Sequence, residues 1–317
     1  MLLFHLSGEN LGLAREEILS LADTSRYRQI KNVLLLDSGY SKIFERLGFT
    51  HGIFDVFFES DNKNLMQDIM CFNFNWNYKK DFRVKILNFK ESIDFDEKKL
   101  GSIVYKKLKN PKVNLSNPKT TFFFIFIDDK IFCCRLIKKI EKSFNSRKPH
   151  LKPELHPTSL SPKLAKALIN LSGVKEGVLL DPFCGSGGIL VEAGLMGLKP
   201  EGFDIDRIML KRAEINLKHY GIKDYALKLQ DAVETKNKYD YTVSELPFGK
   251  NSRISSELEK LYSDFLKNLK KFLGKRAVLV FPFDVKDLIR KNRLKIINEF
   301  EYYIHKSMTK RIYVLER

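Results

Sequence analysis

At 317 residues, with an ordinary apolar content, the chain is long enough for two cored domains, and it carries no apolar run of the ~20 residues that a membrane span requires. Its four cysteines (Cys71, Cys133, Cys134 and Cys184) are never spaced C-x-x-C, and its six histidines are scattered; this argues against a metal centre and for a reducing, cytoplasmic compartment. The net charge of +17 favours a polyanionic partner, and it is uneven: residues 1–78 hold 7 Lys/Arg against 10 Asp/Glu, residues 79–148 hold 19 against 8, and residues 149–317 hold 30 against 21.

The opening Met1-Leu-Leu-Phe-His-Leu lacks a basic leader and a small-residue cleavage site, so it is expected to be a first strand (Met1–Ser7) rather than a signal peptide. Helices are expected at Leu11–Leu21 and Gly39–Leu47, and strands at Asn32–Leu36 and Ile53–Glu59. This order suits a small α+β unit of ferredoxin-like type over residues 1–60. Phe82–Leu87 alternates as a strand, Glu97–Lys109 reads as a helix, and two strands flank an Asp128-Asp129 turn. The aromatic run Phe122–Phe126 reads as core rather than as a base-stacking platform. Residues 146–162 hold four prolines and no periodicity, which predicts an extended linker. Pro162 then suits the first turn of a helix through Leu171.

The most informative stretch is Val178-Leu-Leu-Asp-Pro-Phe-Cys-Gly-Ser-Gly-Gly-Ile-Leu. Three apolar residues read as a buried strand, Asp181 and Pro182 end it, and Gly185, Gly187 and Gly188 let backbone approach a ligand before a helix opens at Ile189. The dinucleotide spacing G-x-G-x-x-G fails, because its last position is Leu190. A second strand ends in Gly202-Phe-Asp-Ile-Asp; Asp204 is placed for ribose hydroxyls, and Asp206 for capping the helix Arg207–Tyr220. A third strand ends at Asp231. A fourth, Tyr239-Asp-Tyr-Thr-Val-Ser-Glu-Leu-Pro-Phe-Gly, runs into a loop at Glu245. Arg276–Pro282 is a fifth strand, and Glu301–His305 and Arg311–Glu316 form a closing hairpin around Lys306–Lys310.

The Asp181-Pro-Phe-x-Gly-Ser-Gly loop resembles that of class I methyltransferases acting on exocyclic amines, and Glu245-Leu-Pro-Phe resembles their Asp/Asn-Pro-Pro-Tyr/Phe loop. Through the succession of strand, basic helix, Val113-Asn-Leu-Ser-Asn-Pro and the hairpin after it, the N-terminal half of the chain resembles the THUMP-type RNA-binding module. His156–Ser172 and the terminal Ser307-Met-Thr-Lys-Arg-Ile-Tyr-Val-Leu resemble the THUMP-containing tRNA guanine-N2 methyltransferases, and in particular the archaeal-type enzymes that act on guanosine 10. The resemblance implies an α/β class I (Rossmann-like) methyltransferase domain at 163–317, after a THUMP-like RNA-binding domain at 61–145. It implies S-adenosyl-L-methionine as cofactor, held by Thr158, Ser159, Asp181, Phe183, Cys184, Gly185, Gly187, Asp204, Asp231 and Ala232. It also implies tRNA as partner, with a small zinc-binding activator subunit in some relatives.

At the loop, the resemblance implies that Glu245 and the Leu246 carbonyl accept the amine hydrogens, with Pro247 shaping the turn and Phe248 stacking the extruded base. Glu245 is one methylene longer than Asp, and Leu246 removes a proline, so a displaced acceptor and a looser loop are expected. Three alternatives stay open: an RNA-binding protein with lost catalysis, an adenine-N6 DNA enzyme, and a ribosomal RNA substrate.

Overall fold

The computed structural model describes the whole chain except residues 23, 155–159, 249–255 and 307. In the N-terminal half run β1 (Leu2–Leu6), α1 (Leu11–Leu19), β2 (Tyr27–Ile30), β3 (Val33–Leu36), β4 (Thr50–Asp61), α2 (Leu65–Cys71), β5 (Phe82–Asn88), α3 (Glu97–Lys107), β6 (Thr120–Ile127) and β7 (Lys130–Lys139). Their seven strands form one sheet in the order β2-β3-β1-β4-β7-β6-β5, with only the β5–β6 pair parallel.

The Phe-rich β6 is apolar on both sides because both sides are covered. Phe122, Phe124 and Phe126 pack with Leu65 and Ile69 of α2 and with Leu100 and Val104 of α3. Ile125 and Ile127 pack with Leu3, Val33, Leu35 and Phe54 on the other face. The aromatic run is therefore core. The two-residue turn after it places Asp128 at φ +49°, a left-handed conformation that Asp tolerates well.

The first compact unit comprises Met1–Leu11, Asp23–Ser41 and Thr50–Ile140, and the second comprises Gly12–Ala22, Lys42–Phe49 and Glu141–Arg317. Residues 1–60 are thus not a body of their own. The expected boundary at 60 falls inside β4, which pairs with β1 on one side and β7 on the other. The expected helix at 39–47 is a short 3-10 segment, Lys42–Arg46. Both that segment and α1 group with the second unit for a specific reason. Glu17 of α1 is fully buried there, accepting from the Gly48 and Phe49 amides at 2.6 and 2.9 Å and from Asn170 Nδ2 at 2.7 Å. Arg46 in turn donates to Asn170 Oδ1 at 2.7 Å.

The second unit continues with α4 (Pro162–Leu171), β8 (Val178–Asp181), α5 (Gly188–Leu195), β9 (Lys199–Asp204), α6 (Arg207–His219), β10 (Ala226–Leu229), β11 (Tyr239–Glu245), α7 (Ser256–Phe272), β12 (Leu273–Phe281), α8 (Lys286–Lys291), β13 (Lys295–His305) and β14 (Met308–Glu316). Its sheet order is β10-β9-β8-β11-β12-β14-β13. The first five strands are parallel, and β14 inserts antiparallel between β12 and β13. Strand order reverses between β8 and β11, which leaves a crevice at their carboxyl ends where open α/β sheets bind ligands. This is the expected Rossmann-like α/β domain, following an α+β region.

The segment expected as an extended linker is ordered against this domain where it is described. Arg147 grips the buried Glu192 of α5 through two hydrogen bonds of 2.8 and 2.9 Å. Asn216 of α6 exchanges hydrogen bonds of 3.1 Å with the Glu154 backbone and donates to the Ser186 carbonyl at 2.9 Å. Charge pairing and one buried amide, neither visible in a proline count, hold the segment beside the glycine loop. Ser161 caps α4 by accepting from the Leu164 amide, with Pro162 in the first turn as expected.

Candidate active site

A cleft of about 420 Å³ lies at the β8/β11 switch point, within the size range of small-molecule sites. One end is built largely from backbone. Gly185 and Gly187 sit at φ +50° and +81°, conformations that favour glycine, and a Cβ on Gly187 would stand 3.1 Å from the Ala213 Cβ. Gly202 is required by packing, since a Cβ there would lie 2.5 Å from Leu190 Cδ1 and 3.0 Å from the Cys184 sulfur. Asp204 accepts from the Gly185 amide at 2.9 Å and from the Asp206 amide at 2.8 Å, so its carboxylate is pinned to the loop with lone pairs left over. Asp206 caps α6 by accepting from the Ile208 amide, as expected. Asp231 accepts from the Val233 amide at 3.0 Å and, with Ala232, lines the cleft.

Asp181 is buried and accepts from Ser244 Oγ at 2.6 Å. Burial, with Asp204 and Glu245 nearby, pushes its carboxyl up to about 7. Phe183 lines the cleft and packs edge-on against Phe265, with ring centroids 4.9 Å apart. Cys184 also lines it, and burial pushes its thiol well up, which leaves an inert group whose carbonyl accepts from the Gly187 amide. Ile205, Met209 and Leu261 supply apolar wall.

The other end is the loop after β11, where Glu245, Leu246, Pro247 and Phe248 all line the cleft. Every step of it is fixed. Glu245 Oε1 accepts from Lys310 Nζ at 2.5 Å, and the same ammonium lies 5.3 Å from the Phe248 ring centroid. Burial raises the Glu245 carboxyl while Lys310 opposes that rise. Leu246 is buried, and its amide donates to the Val280 carbonyl at 3.0 Å, a bond that proline could not make. Tyr262 donates to the Pro247 carbonyl at 2.7 Å. The looser loop expected from the missing proline is therefore not what forms: a ladder bond and a core side chain replace the ring.

Of the sequence-expected site residues that are described, all but Gly187 line the cleft; Gly187 packs against Ala213 instead. Thr158, Ser159 and Gly249 lie outside the described residues. Lys310, Tyr262, Ser244, Ile205 and Met209 were not expected. Only Lys310 left a sequence trace: it shares a strand face with Ile312 and Val314, an inward alternation that carries a lysine.

A family model described as the RMKL-like methyltransferase domain matches residues 149–310, and one described as DNA methylase matches residues 9–214. The latter ends before the β11 loop. The tRNA (guanine(10)-N2)-dimethyltransferase of Methanothermobacter thermautotrophicus is 35% identical over 286 residues, covering 86% of this chain and 84% of that protein. Its namesakes in Pyrococcus abyssi and Methanocaldococcus jannaschii are 31% identical over 87% of this chain and 30% identical over 100% of it. The crystal structure of TrmN from Thermus thermophilus superposes with a TM-score of 0.53 at 19% identity, covering 100% of this chain and 99% of that one, which shows a shared fold. By sequence kinship over nearly its whole length, the chain belongs to the tRNA (guanine(10)-N2)-dimethyltransferase family.

Proposed function

We infer that the protein methylates the exocyclic N2 of a guanosine in tRNA, at position 10 and to the dimethyl stage, as its relatives' names describe for them. The observation that carries this reading is the loop end of the cleft, where a largely enclosed carboxylate and an aromatic ring, Glu245 and Phe248, stand beside a glycine-built crevice. The residues present fit S-adenosylmethionine. The positive-φ Gly185 allows close approach, Ile205 and Met209 offer an apolar face, and the carboxylates of Asp204 and Asp231 suit a cofactor of net positive charge. When bound, that cofactor would supply the methyl group on a sulfonium, leaving a neutral thioether.

The chain's own residues do the rest. An arylamine is a poor nucleophile because its lone pair is delocalised into the base. Glu245 and the Leu246 carbonyl accept the N2 hydrogens, which frees that lone pair, and Phe248 stacks the extruded guanine. As the new N–C bond forms, one N2 proton passes to the Glu245 carboxylate and then to water. Fixed placement of the acceptors supplies most of the acceleration. Asp204 would hold the ribose and Asp231 the adenine of the cofactor.

The substrate is selected by tRNA shape through residues 61–145, read as THUMP-like and strongly basic from residue 79 onward. Among the described residues no helix is long and apolar enough to cross a membrane, and the proposal places the protein in the cytoplasm. The test is transfer of labelled methyl to unmodified tRNA transcripts, with the nucleoside identified after digestion. N2-methylated guanosine at one site is the expected product, whereas N6-methyladenine in DNA would favour the adenine reading. The proposal allows for a small zinc-binding activator: transfer that starts only when such a subunit is added would place it in the complex.

A further inference from the structure

Glutamate is an awkward residue at this loop. Its extra methylene gives the carboxylate a freedom that aspartate lacks, and a misplacement of 1 Å can cost about 10²-fold in rate. The carboxylate is also largely enclosed in a cleft that already holds Asp181 and Asp204. Both problems meet one side chain. Lys310 reaches from β14, with only 7% of its side chain exposed against 15% for Glu245, and its ammonium bonds Oε1 while lying over the Phe248 ring. A lysine buried this deeply must be compensated, and Glu245 and Phe248 of the loop provide that compensation.

We propose that Lys310 is the positioning residue that makes glutamate serviceable here: it clamps one carboxylate oxygen of Glu245, leaves the other to accept the amine hydrogen, and sets the Phe248 ring through the same ammonium. Lys310 touches neither substrate nor cofactor in this account. It acts through Glu245, by fixing its direction and by keeping it ionised at neutral pH despite burial. The titratable groups facing Glu245 among the described residues are Lys310 from β14 and Asp181 from β8, with Asp204 beside Asp181 and Tyr262 of α7 bonded to the adjoining Pro247. Lys310 is the cation among them. Removing it leaves burial and the neighbouring carboxylates unopposed, so the Glu245 carboxyl rises and the ionised fraction at neutral pH falls.

The proposal rests on the reaction inferred above for its kinetic readout but not for its titration readout. In K310M the acidic limb of the kcat profile is expected to move up by about 1–2 pH units, with kcat at pH 7 down about tenfold or more, KM for tRNA little changed, and partial rescue in K310R. Independently, with carboxyl-13C glutamate incorporated and the Glu245 signal assigned by its loss in E245Q, the titration midpoint should rise by a similar amount in K310M. Asp181 does not carry the label. The control against a merely structural role is the E245Q background, where no carboxylate is left to tune: E245Q and E245Q/K310M should have kcat values within about threefold. That pair also decides the question should K310M alone fail to fold. An unmoved midpoint, or a tenfold further loss from K310M on top of E245Q, would overturn the proposal. Wild-type protein that transfers no methyl to guanine N2 would defeat the reaction, while the titration would still decide the role of Lys310.

Discussion

The two ends of the cleft are held by different means. At the cofactor end the groups are backbone or are pinned by backbone: two left-handed glycines, a Gly185 amide on Asp204, and a Val233 amide on Asp231. At the loop end each residue is held by a partner far along the chain. Glu245 is clamped by Lys310 at 65 residues' remove, Leu246 by Val280, and Pro247 by Tyr262. The first end is rigid because its local conformation leaves little choice. The second is rigid only while a buried charge pair and a tyrosine hydroxyl stay in place. Cofactor binding and amine activation should therefore fail separately.

The larger effect is expected at the loop end. E245A should lower kcat by about 10²–10³-fold, the scale of losing a preorganised acceptor, while leaving S-adenosylmethionine affinity within about twofold. Calorimetric titration beside single-turnover transfer checks both halves. The substitution also strands the Lys310 ammonium, so the melting temperature should fall and assays belong well below it. A parallel loss of cofactor affinity would merge the two ends into one. The smaller effect is expected from G187A. A side chain at φ +81° costs about 1–2 kcal/mol, and its Cβ would press on Ala213, so cofactor affinity should weaken about ten- to a hundredfold with kcat at saturation nearly preserved.

The same contrast explains what the sequence disclosed. The cofactor end lies in one contiguous run plus two strand tips at regular intervals, and its glycines and the Asp206 cap obey local rules. The position of the loop was legible as well, from its place after the fourth strand. What holds the loop was not, because the alternation that turns Lys310 inward with Ile312 and Val314 does not say that Glu245, 65 residues away, is its partner. Helix α1 shows the same limit on a larger scale. Its existence followed from periodicity, yet the core it joins depends on Glu17 meeting the amides of Gly48 and Phe49 and the side chain of Asn170. The edge strand β2, Tyr-Arg-Gln-Ile, leaves no signal in the sequence, because none of its four residues is buried and it shows no apolar alternation.

The most direct test of the central claim compares two tRNA transcripts that differ at one atom group: guanosine at position 10 against inosine, which lacks the 2-amino group. Under single-turnover conditions with labelled cofactor, methyl transfer to the guanosine transcript and none to the inosine transcript is the predicted result. Equal labelling of both would contradict it, since the accepting atom would then lie elsewhere.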